Sequence, residues 1–186
     1  SESIHLPLVA FLFWSFDKRS AIRIGINYFM IMYATQILKI AFCIPRPWLR
    51  FEGLTSATDY AGEVSGFSFP SGHTSGAVSI YGTMMTTTKT RWIQIVFAVL
   101  ILLVGFSRLY LGVHTPTDVL TGLLIGVILI AIANLAARSS ASNPALKTQL
   151  IAFAFAMILF GILYASLKSY PEGTGLKLKI DTMKTL

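Results

Sequence analysis

Residues 107–118 read SRLYLGVHTPTD and place a histidine and an aspartate at the start of an apolar helix. Thr115 is suited to cap that helix and Pro116 to form its first turn. His114 would then lie where backbone amides and the helix dipole favour phosphate oxygens. Asp118 follows His114 by four residues, the spacing at which a carboxylate can hold one imidazole nitrogen and aim the other outward. We therefore expect His114 to be a prepared nucleophile or base.

The composition of the chain is typical of a membrane protein. Of its 186 residues, 54% are apolar and 12% are charged, and the mean hydropathy is +0.69. Soluble domains carry about twice that charged fraction. The net charge of +7 comes from basic residues scattered between apolar segments, so it indicates cytoplasmic loops and not a nucleic-acid surface. We expect membrane lipids around the chain and no nucleic-acid partner.

Apolar segments predict an all-α fold, a polytopic membrane helix bundle of about six transmembrane helices. The first segment, residues 4–16, is short for a span, which takes about 20 residues. The other helices are expected at residues 21–44, 70–88, 92–106, 116–137 and 149–167. Small residues in the third and fifth helices favour close helix packing, and we expect the third to be central. The whole chain, residues 1–186, is expected to form one membrane-embedded domain with a polar tail at 168–186.

The charges of the connecting loops predict the orientation of the bundle. If six helices alternate across the membrane, loops 17–23, 89–91 and 138–147 lie on one side. These loops carry seven basic residues against one acid, Asp17: Lys18, Arg19, Arg23, Lys89, Arg91, Arg138 and Lys147. The positive-inside rule makes that side cytoplasmic. The candidate site residues then lie on the periplasmic or extracellular face.

Two further groups of polar residues point to the same chemistry as His114. Lys39 and Arg46 stand at or near membrane depth, where ionisable residues are costly and usually functional, although Lys39 would also suit the lipid interface. Ser71, Gly72 and His73 open the third helix, where glycine permits close approach of an anion to the backbone. A turn with an incidental histidine is the alternative for this second group.

The three groups together provide what phosphoryl transfer requires. Lys39, Arg46 and Arg108 supply positive charge for the phosphate oxygens, and two histidines supply a nucleophile and an acid. We expect no metal and no cofactor, because the chain has only three histidines and its loop acids lack ligand spacing. Those acids are Glu52, Asp59 and Glu63.

Eleven positions in order resemble a known signature: Lys39-x6-Arg46-Pro47, Pro70-Ser71-Gly72-His73 and Ser107-Arg108-x5-His114-x3-Asp118. The pattern is similar to that of the type 2 phosphatidic acid phosphatase and vanadium haloperoxidase superfamily, in its integral membrane lipid phosphatase branch. The match lies between residues 39 and 118, and the flanking helices agree only in number and hydrophobicity.

The resemblance implies a role for each matching residue in a phosphatase that needs no metal. Lys39, Arg46 and Arg108 would bind the phosphate with Ser71 and Gly72. His114 would attack phosphorus to form a phosphohistidine, oriented by Asp118, and His73 would protonate the leaving oxygen. The residues alone assign the roles of nucleophile and acid to the two histidines less firmly. Only His114 has a carboxylate four residues away, within reach along a helix.

The substrate is expected to be a lipid phosphate or diphosphate. Phosphatidic acid, phosphatidylglycerol phosphate and undecaprenyl diphosphate remain open, since all present a terminal phosphoryl group to the same cations. A lipid phosphoryl transferase and a catalytically silent lipid-phosphate binder or carrier are the alternatives. A soluble haloperoxidase and a transporter fit the sequence less well. The size of the chain suggests a bacterial-type enzyme of the inner or plasma membrane, by analogy alone. The oligomeric state stays undetermined.

Overall fold

The computed structural model describes residues 18–51, 66–141 and 143–169, and all regular structure in these ranges is helical. The first predicted segment, the acidic loop residues and most of the polar tail lie outside them. The helices are α1 (Lys18–Phe42), α2 (Pro47–Arg50), α3 (Gly72–Ala77), α4 (Thr83–Thr87), α5 (Arg91–Tyr110), α6 (Pro116–Ser140) and α7 (Pro144–Leu167). A π-helical turn, Val78–Gly82, joins α3 to α4 into one rod.

Four stretches of the described chain are long and apolar enough to cross a membrane. They are Ser20–Arg50, Arg91–Tyr110, Pro116–Ser139 and Pro144–Leu167. Their exposed surfaces carry large hydrophobic side chains such as Phe29, Leu102 and Phe155, as expected of helices that face lipid. The prediction of a polytopic helical bundle is confirmed in these ranges. The count of about six is not confirmed, because residues 4–16 lie outside the described chain and the α3–α4 rod is shorter than these four.

The α3–α4 rod is the centre of the bundle, as its small residues predict. α3 packs against α1, α5 and α6, and nearly all of its residues are buried. Two glycines of α6 lie directly against the rod. A Cβ atom at Gly122 would lie 2.9 Å from the carbonyl oxygen of Ser71, and one at Gly126 would lie 2.5 Å from Cγ1 of Val78. The spacing of these two glycines therefore brings α6 against the start of α3.

The end of α5 differs from the prediction. The hydropathy pattern predicts that α5 ends at residue 106, but the helix continues to Tyr110. Ser107 is compatible with this extra turn because its hydroxyl donates to the carbonyl oxygen of Val104 at 2.7 Å. The helix stops before Gly112, which has a φ of +66°. Arg108 consequently belongs to the last turn of α5 and not to a loop.

Several helix termini meet at one end of the bundle. The backbone N–H of Ser71, which caps α3, donates to the carbonyl oxygen of Asp118 in the first turn of α6 at 3.0 Å. α7 returns to this end, where the ammonium of Lys168 donates to the carbonyl oxygen of Ala41 near the end of α1 at 2.7 Å. The residues of the predicted signature are carried by these termini and by the segments between them.

Candidate active site

His114 and Asp118 are held together by the start of α6. Thr115 caps the helix in a capping box: its hydroxyl accepts from the backbone N–H of Asp118, and its own N–H donates to Oδ2 of Asp118 at 2.8 Å. The same Oδ2 lies 3.5 Å from Nδ1 of His114. His114 and Asp118 are buried, with 5% and 1% of their surfaces exposed. The contact predicted from their spacing is present, and it turns Nε2 of the imidazole away from the carboxylate.

Arg46 approaches the opposite nitrogen of His114. Its Nη1 lies 3.1 Å from Nε2 of His114 and donates at 3.1 Å to the carbonyl oxygen of Val113. Its Nε donates at 3.1 Å to the carbonyl oxygen of Gly66. A guanidinium has no acceptor, so Nε2 accepts in this contact and the proton of the neutral imidazole is on Nδ1. The lone pair of Nε2 therefore points toward the cation.

The electrostatic surroundings favour a neutral His114. Burial lowers the pKa of His114 below its ordinary value of 6.5, and the positive charges of Arg46 and Lys39 lower it further. The hydrogen bond and the charge of Asp118 act in the opposite direction without outweighing burial. A neutral imidazole is the form that can act as a nucleophile.

The start of α3 brings Ser71, Gly72 and Lys39 together. The hydroxyl of Ser71 accepts from the hydroxyl and the backbone N–H of Thr74, at 2.9 and 3.4 Å, and so caps the helix. The backbone N–H of Ser71 is engaged by Asp118, which leaves the hydroxyl hydrogen as its potential contact for an anion. A Cβ atom at Gly72 would lie 3.7 Å from Nζ of Lys39, so the ammonium lies beside the glycine.

His73 and Arg108 stand at the same end of the bundle. His73 is half-buried in the first turn of α3. Arg108 is half-buried in the last turn of α5, where its Nε donates to the hydroxyl of Ser107 at 3.2 Å and its carbonyl oxygen accepts from the N–H of Val113. The backbone of Arg108 is thus linked to the residue that precedes His114.

Ser68 is a site residue that the sequence does not reveal. Its side chain is fully buried, and its hydroxyl donates to Oδ2 of Asp118 at 2.6 Å. Its Oγ also lies 3.5 Å from Nδ1 of His114. Ser68 precedes the Pro70–His73 motif in a stretch without periodicity, and no spacing relates it to a residue 50 positions later. Only the folded arrangement identifies it.

The acidic and metal-ligating residues do not form a metal centre in the part of the chain that the structure describes. There, no three side chains of His, Cys, Asp or Glu are grouped closely enough to hold a metal ion. Asp118 is the carboxylate of the site, and its Oδ2 accepts from Ser68 and Thr115. His5, Glu52, Asp59 and Glu63 lie outside the described residues.

The cationic and histidine residues of the signature thus lie at one end of a helical bundle whose outer surfaces are apolar. The PAP2 superfamily matches residues 20–140, and the chain belongs to this superfamily. The resemblance predicted from residues 39–118 is thereby confirmed. Relatives found by sequence and by structure include lipid phosphatases, and one solved structure among them is described as transmembrane.

Sphingosine-1-phosphate phosphatase 2 of Mus musculus is 29% identical over 140 residues, which cover 70% of this chain and 38% of that protein. Undecaprenyl-diphosphatase BcrC of Bacillus subtilis is 28% identical over 127 residues, which cover 66% of this chain and 62% of that protein. The chain thus spans less than two thirds of the length of both relatives. The crystal structure of a transmembrane PAP2 type phosphatidylglycerolphosphate phosphatase from Bacillus subtilis has a TM-score of 0.60 at 27% identity, over 75% of this chain and 71% of that one.

Proposed function

We propose that the protein is an integral membrane lipid phosphatase that hydrolyses a terminal phosphate through a phosphohistidine on His114. The observation that carries this proposal is the environment of His114. One ring nitrogen faces a carboxylate at 3.5 Å, and the other faces a guanidinium at 3.1 Å. A neutral imidazole oriented in this way is an activated nucleophile beside a group that binds phosphate oxygens.

The first half of the reaction transfers the phosphoryl group to the enzyme. Lys39, Arg46 and Arg108 bind the phosphate oxygens, and the Nε2 lone pair of His114 attacks phosphorus. The bond from phosphorus to the leaving oxygen breaks, and His73 gives that oxygen its proton. Asp118 stabilises the positive charge that develops on the imidazole, as a carboxylate does behind other catalytic histidines.

The second half of the reaction releases phosphate. Water attacks the phosphohistidine, the phosphorus–nitrogen bond breaks, and the proton of the water passes to His73. The enzyme then returns to its starting protonation state, since His73 regains the proton that it gave to the leaving group.

Arg46 has to change its hydrogen bond for the first step to occur. In the structure Nη1 donates to Nε2 of His114, the nitrogen that attacks, and to the carbonyl oxygen of Val113. A bound phosphate offers this guanidinium an anionic oxygen, which is a stronger acceptor than an imidazole nitrogen. Redirection of Nη1 to the substrate would free the Nε2 lone pair only when phosphate is present.

The membrane setting supports a lipid substrate. The polar site lies at the ends of helices whose outer surfaces are apolar, so a head group can reach it while the tail stays in the bilayer. Relatives are named for sphingosine-1-phosphate, undecaprenyl diphosphate and phosphatidylglycerolphosphate. We favour a broad specificity that includes phosphatidic acid, phosphatidylglycerol phosphate and undecaprenyl diphosphate. We also place the site on the periplasmic or extracellular face of a bacterial inner or plasma membrane, on the basis of the basic loops at the other end.

The test is phosphate release by the purified chain in detergent, with a chelator present and without added metal. The panel consists of phosphatidic acid, phosphatidylglycerol phosphate and undecaprenyl diphosphate. We expect chelator-resistant release that His114→Ala reduces at least about a thousandfold. His5→Ala is the matched control, because it removes a histidine outside the signature. Release that survives His114→Ala, or that requires a divalent metal, would contradict the proposal.

A further inference from the structure

The hydroxyl of Ser68 is hydrogen-bonded to Asp118, the carboxylate that faces His114. It donates to Oδ2 of Asp118 at 2.6 Å and lies 3.5 Å from Nδ1 of His114. The Ser68 side chain is completely buried, so bulk water does not compete for this bond. Ser68 stands outside the three-part signature and has no role in the reaction steps described above.

Three donors converge on a single oxygen of Asp118. Ser68 donates to Oδ2 at 2.6 Å and the N–H of Thr115 at 2.8 Å, whereas Nδ1 of His114 is 3.5 Å away. The bonds from Ser68 and Thr115 have normal hydrogen-bond lengths, and the contact with His114 is longer. The two shorter bonds therefore determine where Oδ2 stands relative to His114.

The backbone of Ser68 is fixed to the segment that carries Arg46. Its N–H donates to the carbonyl oxygen of Ile44 at 2.8 Å, and the nearby carbonyl oxygen of Gly66 accepts from Nε of Arg46 at 3.1 Å. One short segment thus contacts the group on each side of the imidazole, Asp118 at Nδ1 and Arg46 at Nε2. Displacement of Ser68 would disturb the first of these contacts directly.

We propose that Ser68 is a positioning residue: its hydroxyl fixes the Asp118 carboxylate so that the proton of His114 stays on Nδ1 and the lone pair on Nε2. The consequence for phosphoryl transfer rests on the proposed function, but the location of the proton does not. The groups that act on the imidazole are Asp118 and Ser68 at Nδ1 and Arg46 at Nε2, with the charge of Lys39 nearby.

The kinetic test compares Ser68→Ala with Ser79→Ala. Both serines are completely buried, but among the described residues the Ser79 hydroxyl is a buried group without a hydrogen-bond partner. We expect Ser68→Ala to lower kcat about tenfold to a hundredfold, by analogy with other residues that orient a ligating or reacting histidine. KM and the inhibition constant of inorganic phosphate should stay within about twofold, since the cations are untouched. Ser79→Ala should leave all of these values within about twofold.

The second test is nitrogen-15 NMR of histidine-labelled protein in detergent, which needs no turnover. The chain has three histidines, and His114→Ala assigns the signal of interest. We expect the Nδ1–H form of His114 in the unaltered protein and in Ser79→Ala, and a larger share of the Nε2–H form in Ser68→Ala.

The outcomes separate the two proposals. An unchanged ratio of the two forms in Ser68→Ala overturns the positioning role, as does a kcat within about twofold of the unaltered protein. A loss of phosphate affinity equal to the loss of kcat would show general damage to the site and would also overturn it. If the unaltered protein releases no phosphate, the proposed function fails, and the NMR ratio still decides the role of Ser68.

Discussion

Nη1 of Arg46 lies 3.1 Å from Nε2 of His114, on the side of the ring opposite Asp118. The guanidinium can only donate, so Nε2 accepts in this contact, while Nδ1 with its proton faces Asp118. One arginine therefore orients the proposed nucleophile and carries the charge expected to receive the phosphate. Because the same guanidinium contacts Nε2 and is expected to bind phosphate, phosphate binding is linked to the availability of the attacking nitrogen.

Arg46→Lys should damage the site although it keeps the charge. A lysine cannot donate from two fixed positions to Gly66, Val113 and His114 at once, and a buried carbonyl oxygen without a donor costs about 1–3 kcal/mol. We expect kcat/KM to fall on the order of a hundredfold and the thermal midpoint in detergent to fall with it. Arg50→Lys, at an exposed position, is the matched control. Full activity of Arg46→Lys would show that a point charge is sufficient.

The pKa of His114 should shift in opposite directions when its cationic neighbour and its anionic neighbour are removed. Burial and the cations hold the pKa of His114 below 6.5, so the ring stays neutral at pH 6.5 and becomes charged only at lower pH. Removal of a cation in Arg46→Gln should raise this pKa, and removal of the anion in Asp118→Asn should lower it. Nitrogen-15 NMR over a pH series measures both shifts. Shifts of the same sign in the two variants would rule out this electrostatic picture.

Asp118→Asn should also slow the reaction. The neutral amide cannot stabilise a positive imidazole, even though its oxygen can accept from Ser68 and Thr115 in place of Oδ2. We expect kcat to fall on the order of a hundredfold or more, with little change in KM. Steady-state phosphate release gives both constants. A variant with altered KM and unaltered kcat would assign Asp118 to substrate binding instead.

Gly122→Ala tests the close approach of α6 to the start of α3. The added Cβ would lie 2.9 Å from the backbone oxygen of Ser71 and 3.1 Å from Oγ of Ser75, so the two helices must separate. Overpacking of this kind costs about 1–3 kcal/mol. Because it displaces Ser71, kcat should fall on the order of tenfold or more. Gly25→Ala is the control, since a Cβ there would meet nothing within 4 Å. Equal thermal midpoints for the two variants would be inconsistent with this packing.

The parts of the site that the sequence predicts are those set by local geometry. Thr115, Pro116 and Asp118 specify a helix start by themselves, and the four-residue spacing brings His114 to Asp118. The four-residue spacing of Gly122 and Gly126 likewise predicts a close contact with another helix. In each case the residues that carry the signal lie within about one turn of a single helix, where residue type and period determine which face they share.

The parts that the sequence does not predict depend on distant segments. Ser68 meets a carboxylate 50 positions away, and Arg46 meets a histidine 68 positions away. Neither distance follows from helical periodicity, since both contacts form only when α1, α3 and α6 pack at one end. The end of α5 differs for another reason: hydropathy changes at residue 107 and predicts an end there, but the backbone turns only at Gly112.

The proposed reaction is tested most directly by identifying the residue that carries phosphate during turnover. The protein is mixed with radiolabelled lipid phosphate, quenched rapidly in base to preserve phosphohistidine, digested and mapped. We predict label on the peptide that contains His114, at a level that His114→Ala abolishes and His5→Ala leaves unchanged. Label on His73, or steady phosphate release by His114→Ala without a labelled enzyme, would contradict the assignment of His114 as the nucleophile.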